Sequence, residues 1–376
     1  MAPVSERLQK RAERAIFRFV NGLDWWLRDP SKLVGQTPFD EIYRKDKLVV
    51  RRYRPLREAE EWQLGTEVIR RDSPRRYAIP VLFVPPLMVK PFIFDLVPER
   101  SFVRTMLRAG FDVYLVDFGE PDRADAYVTL DHYVLEYLPA AVNEACRAAR
   151  ANGVSLIGYC LGGLFALMHA SVNRDGRVKN IVTIASPIDS QEMGVLAWIV
   201  KVAHEQIDFL ARRLGNIPGD LSSAAFKMMS PFKSMTRYTD LFLNMWNEEY
   251  VNGFDALNQW TGSFIDYPGE AFRQFLRDFF KGNKLKDGRM VFGDEEADLS
   301  RVTCPVLAFI GESDRIVPYA AARQIMEIVG SADKRLETAP GGHMGVFGGR
   351  HAPDRVWRVA ADWLGERSDR LARAGM

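Results

Sequence analysis

Three residues far apart in the chain carry the chemistry of a nucleophile, an orienting acid and a base: Cys160, Asp314 and His343. Cys160 ends an apolar run at 154–159 and stands in the pattern Gly158-x-Cys160-x-Gly162, before a second run of helical character. That pattern predicts strand, sharp turn and helix, because glycines two before and two after a strained residue let the two backbones approach. A thiol at such a turn faces a helix N-terminus, which favours thiolate, and the next amide, from Leu161, points where an oxyanion would form. The alternative for an isolated free cysteine is an inert packing role.

A base and an acid follow in the order nucleophile, acid, histidine. Asp314 closes Gly311-Glu312-Ser313-Asp314 after the apolar run 306–310, and His343 lies in the loop Pro340-Gly341-Gly342-His343-Met344-Gly345 after a short strand at 335–338. Asp314 would accept from one ring nitrogen and fix the tautomer, leaving the other nitrogen for the thiol. His169 falls on the helix after Cys160 and reads as a packing residue, His204 lies in a later insertion, His132 begins a helix, and His351 lacks the loop context. Asp117, at the end of a central strand, is the rival orienting acid or a structural anchor. A second oxyanion donor is expected where the run 79–84 stops at Pro85-Pro86, from Leu87 or Met88.

Alternating strands and helices must position these groups. Strands are expected at 47–53, 79–84, 113–117, 180–185, 306–310 and 335–338, and helices at 99–108, 129–151 with Asp131 as cap and Gly153 as stop, 320–329 and 353–364. This predicts an α/β fold with a mostly parallel, doubly covered sheet. Residues 1–36 form an N-terminal amphipathic helical segment, its helix at 5–28. That helix packs on the domain's own flank or docks a partner subunit or apolar surface. Residues 37–186 and 301–376 form the two parts of the core. At 187–300 the alternation lapses into Met- and aromatic-rich stretches such as Leu241-Phe242-Leu243-Asn244-Met245-Trp246, read as a helical lid over a pocket.

Composition narrows the function. Lys and Arg number 51 against 49 Asp and Glu, a net charge of +2, which argues against wholesale nucleic-acid binding. The three cysteines suit neither a disulfide framework nor a Cys-x-x-Cys pair. No signal peptide or membrane span is evident, so a cytoplasmic protein is expected. No metal-spaced cluster or phosphate-cradling glycine loop occurs, and no metal or cofactor is implied. A thiol acylated by a thioester makes another thioester, keeping the acyl group activated for an alcohol. Cys160 therefore favours acyl transfer over ester hydrolysis.

Several longer motifs sharpen this: Gly35-x-Thr37-Pro38, Pro85-Pro86-Leu87-Met88, Asp117-Phe118-Gly119-x-Pro121, Thr129-Leu130-Asp131, Pro268-Gly269-Glu270-Ala271-Phe272-Arg273-Gln274 and Asp314-x-Ile316-Val317-Pro318. With the Cys160 and His343 motifs, they resemble the catalytic subunit of polyhydroxyalkanoate synthases, of the short kind that works with a second subunit. The resemblance implies the α/β-hydrolase fold with a lid insertion. It also implies acylation of Cys160 by (R)-3-hydroxyacyl-CoA and passage of the acyl group to a polyester's hydroxyl end, with Asp314 and His343 as acid and base. The implied partners are that thioester, the polyester, an accessory subunit, further copies of the chain and the granule surface. Where the short members carry Gln, Trp and a second Asp, this chain has Leu161, Phe118 and His132. Two rivals stand beside this reading: a cysteine hydrolase of dienelactone-hydrolase or thioesterase type, and a catalytically silent scaffold.

Overall fold

The structure, a computed structural model, describes residues 4–27, 29–60, 69–72, 75–228 and 231–371. Eight strands make the central sheet: β1 (Phe39–Lys45), β2 (Leu48–Tyr53), β3 (Val81–Val84), β4 (Val113–Asp117), β5 (Val154–Tyr159), β6 (Val178–Ile184), β7 (Val306–Gly311) and β8 (Lys334–Ala339). Their order is β1-β2-β4-β3-β5-β6-β7-β8. The β1–β2 and β2–β4 pairs are antiparallel, and every pair from β4 to β8 is parallel. Successive residues feed opposite faces, as the strand period requires. Leu82, Leu156 and Ile181 enter the core on one side, and Phe83, Ile157 and Val182 the core on the other. Burial on both faces explains why β3 and β7 read as unbroken apolar runs and why β5 departs from one only at buried Ser155.

The covering helices differ from expectation at their ends. After α1 (Val4–Leu27), the helix expected from 99 is α2 (Phe102–Ala109), because Ser101 accepts from the Arg104 N–H and Gly110 terminates it at φ 102°. The helix expected at 129–151 opens as a π-type turn over His132–Tyr137 and continues as α3 (Leu138–Ala149). Asp131 is not its cap, since one carboxylate oxygen accepts from Gln274 Nε2 at 3.0 Å. The stop is Arg150 in a left-handed conformation, φ 53°, rather than Gly153. The stretch expected as one helix at 320–329 is two short turns, Tyr319–Ala322 and Ile325–Ile328.

The elbow helix α4 (Leu161–Val172) follows β5, and between β6 and β7 lie α5 (Val195–Leu214), α6 (Gly219–Met228), α7 (Pro231–Asn244), α8 (Glu248–Gly262) and α9 (Gly269–Gln274). This insertion also carries an antiparallel hairpin, Arg289–Phe292 with Glu295–Asp298, across the two-residue turn Gly293-Asp294. Gly293 has φ 55°, the sign such a turn requires. Helix α1 leans on the insertion through polar atoms: Asn21 Nδ2 donates to the Met245 carbonyl at 2.8 Å and Trp25 Nε1 to Asp255 at 2.6 Å. Its residues Ile16, Phe19, Val20, Leu23, Trp26 and Leu27 stay exposed, so the apolar stripe does not pack on the core's flank. Arg28, where the sequence closes this helix, lies outside the described residues.

Candidate active site

Cys160 sits at the carboxyl end of β5 with φ 52° and ψ −118°, as the N-cap of α4. A non-glycine residue holds such a conformation only when its surroundings impose it. They do so here through the backbone: the Cys160 N–H donates to the Ile184 carbonyl at 2.8 Å, and its carbonyl accepts from Ser186 Oγ at 2.8 Å. The flanking glycines are required sterically. A Cβ on Gly158 would lie 2.4 Å from Gly163 Cα, and one on Gly162 would lie 2.1 Å from the Val84 carbonyl oxygen. Gly163 is a third requirement, since its Cβ would meet Ser186 Oγ at 2.1 Å. Cys160 is half-buried, whereas Cys146 and Cys304 are packing thiols whose burial pushes their pKa up, Cys304 to about 11.

The candidate acid and base arrive from neighbouring loops. Asp314 follows β7 and His343 follows β8, and the Ser313 N–H donates to the Gly341 carbonyl at 2.9 Å, tying the loops together. Gly311 permits this approach, because a Cβ there would lie 2.8 Å from the Gly341 carbonyl oxygen. Asp314 Oδ2 lies 2.9 Å from His343 Nδ1, while Oδ1 accepts the Ile316 and Val317 amides, each at 2.9 Å. Both side chains are buried. Burial alone would drive the His343 imidazole down; the Asp314 carboxylate and the Cys160 sulfur, each also hydrogen-bonded to it, more than reverse this and raise it to about 10. A ring hydrogen-bonded to a carboxylate at Nδ1, with the Cys160 sulfur close enough to act on it, can take a proton from a thiol and return it to a leaving group.

Other candidates fall elsewhere. Asp117 is paired with Arg51 and accepts the Gly119 N–H at 2.9 Å, so it anchors its own strand end. His169 is buried and driven down to about 4 by that burial, and Asn173 lies against its ring. His132 Nδ1 accepts the Thr129 N–H at 3.1 Å, His204 lies on α5 within 3.8 Å of Glu205, and exposed His351 meets Arg350. The Leu161 amide opens α4, where the first amides lack intrahelical partners. Met88 has φ 60° on the Pro85-Pro86 loop, and its carbonyl accepts from Ile265 N–H at 3.0 Å. Sequence reasoning missed Ser186 and Tyr159, whose hydroxyl donates to the His343 carbonyl at 3.2 Å beneath the imidazole. The adjacent glycines 162 and 163 and the Ser186-Pro187 strand end were the available signals. Among the described residues no group of His, Cys, Asp and Glu has metal-holding geometry, and no helix is long and apolar enough to cross a membrane.

The strand order, the elbow and the two late loops define an α/β-hydrolase-fold protein, and the family model of the alpha/beta hydrolase fold matches residues 93–349. The poly(3-hydroxyalkanoate) polymerase subunit PhaC of Allochromatium vinosum is 34% identical over 89% of this chain and 90% of its own length. The same-named subunit of Thiocystis violacea is 32% identical over 98% of this chain and 100% of its own. That of Haloferax mediterranei is 32% identical over 89% of this chain, which spans 65% of that longer relative. The chain belongs to the poly(3-hydroxyalkanoate) polymerase family.

Proposed function

We propose that this chain polymerises (R)-3-hydroxyacyl-CoA, of short side chain such as 3-hydroxybutyryl, through a thioester on Cys160. The observation that carries this is the strained elbow thiol beside the buried His343–Asp314 pair, in a chain of this family. Cys160 sulfur attacks the substrate thioester carbonyl, the CoA sulfur leaves with the proton held by His343, and the acyl group stays on Cys160. The oxyanion is held by the Leu161 and Met88 amides. Having given its proton to the departing CoA sulfur, the His343 ring is left neutral and able to act as a base. It then takes the proton of an incoming 3-hydroxyl as that oxygen bonds to the acyl carbon and Cys160 thiolate departs. The elements at 187–300 exclude water from the acyl-enzyme. An accessory subunit, further copies of the chain, the granule surface and a cytoplasmic setting belong to the same proposal. Purified protein, with its accessory subunit, should release CoA from 3-hydroxybutyryl-CoA and deposit insoluble polyester. CoA release with only free 3-hydroxybutyrate would instead favour a cysteine hydrolase.

A further inference from the structure

The insertion buries a hydroxyl that the fold itself does not use. Tyr267, between α8 and α9, is 1% exposed, and among the described residues its hydroxyl has no hydrogen-bond partner. A buried hydroxyl left unmatched costs free energy, which is recovered when an acceptor is supplied. The residue is held firmly in place. Its backbone exchanges hydrogen bonds with Ile217 in both directions, each at 2.9 Å, and its ring meets Phe272 edge-on at 5.6 Å. A donor fixed in this way is preorganised for an acceptor that arrives with the substrate.

Its surroundings point to which acceptor. The Ile265 N–H donates to the Met88 carbonyl at 3.0 Å, and Asp266 and Pro268 line a narrow cleft with Leu87, Met88 and Tyr133. Tyr267 itself belongs to the same core as Leu161 and Tyr133. The phenol therefore stands on the Met88 side of the elbow, whereas Asp314 and His343 come from the ends of β7 and β8 on the other side of β5. Burial above all, then Tyr133 and the charge of nearby Cys160, hold the Tyr267 hydroxyl well above the usual phenol range, so it stays protonated and can only donate to an anion. We infer that the Tyr267 hydroxyl donates to the acyl carbonyl oxygen as it becomes an oxyanion, a third donor beside the Leu161 and Met88 amides. This assignment rests on the acylation step proposed above. Attack on the acyl carbon, first by the Cys160 sulfur and later by the polyester hydroxyl, moves an electron pair onto that oxygen, and the phenol keeps its own proton throughout.

The test compares wild type with Tyr267→Phe, each with its accessory subunit. Three quantities are read: the rate of the first CoA release per chain from 3-hydroxybutyryl-CoA, the rate of Cys160 alkylation by iodoacetamide, and the melting temperature. Alkylation is the control, because displacement of iodide from a saturated carbon uses the thiolate and forms no oxyanion. The first CoA release should fall about 10²–10³-fold while alkylation stays within about twofold. The melting temperature should not fall, since a hydroxyl without a partner has no bond to lose. Wild-type CoA release by Tyr267→Phe, an equal loss of release and alkylation, or a lowered melting temperature would each overturn the assignment. The first leaves the hydroxyl idle, the second gives it to the sulfur, and the third gives it a bond within the fold. If wild type releases no CoA while iodoacetamide still labels Cys160, the acylation reading itself fails, and the inference with it.

Discussion

At the elbow the half-buried Cys160 thiol lies beside the buried imidazole–carboxylate pair of His343 and Asp314, and each substitution among them has a different expected signature. Cys160→Ala should leave a folded protein that no longer releases CoA, and retained turnover would remove Cys160 from its role. Asp314→Asn takes away the largest influence raising His343, so the imidazole falls from about 10 and kcat should drop about 10²–10⁴-fold, read in a pH–rate profile. The raised value also has a stability signature. A folded pKa above the ordinary 6.5 contributes stability that is full below pH 6.5 and is lost as pH rises through about 10. The unfolding free energy of wild type relative to His343→Gln should accordingly be largest in mild acid and shrink across that window. Tyr159→Phe removes only the hydrogen bond to the His343 carbonyl. It should cost about 1 kcal/mol of stability and lower kcat several-fold at unchanged KM, because the hydroxyl positions the loop and touches no substrate.

The elements that carry these residues owe their geometry to close backbone approach, and the elbow shows the limit most sharply. Gly162→Ala would set a Cβ 2.1 Å from the Val84 carbonyl oxygen, a backbone atom that no rotamer change can move. A loss of about 3 kcal/mol in denaturant unfolding is expected, whereas Gly345→Ala, where nothing lies within 4 Å, should be neutral within about 1 kcal/mol. The elbow and the Asp314 loop were legible because each is a local signal, an apolar run ending in glycine, and the His343 loop because two glycines precede the histidine after the last strand. The parallel core strands were legible for the same reason. What escaped the sequence depends on partners far along the chain. Gln274 takes the Leu130 N–H and donates to Asp131, which displaces Asp131 from its expected capping role. The hairpin at 289–298 was hidden by an aromatic-rich context that reads as helix, although Gly293-Asp294 supplied the turn. The outward apolar stripe of α1 follows from polar contacts with the insertion that no periodicity reveals.

At the scale of the whole molecule, the insertion is clamped to the core at both its ends by one buried carboxylate. Asp189, 1% exposed, accepts from the Gln191 N–H at 3.0 Å and from Asn283 Nδ2 at 2.8 Å through one oxygen. Its other oxygen accepts from Gln324 Nε2 at 3.0 Å and faces Lys286 Nζ at 3.3 Å. Asp189 and Gln191 lie at the start of the insertion, Asn283 and Lys286 lie near its end, and Gln324 belongs to the core after Asp314. Ser190 doubles the link by donating its amide and hydroxyl to Asn283 Oδ1, each at 2.9 Å. Asp189→Ala leaves several of these groups unmatched and should cost about 2–4 kcal/mol. Its sharper consequence is chemical. If the elements at 187–300 keep water from the acylated Cys160, loosening both their attachments lets water compete with the polyester hydroxyl. The ratio of free 3-hydroxybutyrate to polymer should then rise several-fold in Asp189→Ala, measured at a temperature where the variant remains folded. A lower melting temperature with an unchanged product ratio would show that the clamp is not what keeps water from the acylated Cys160.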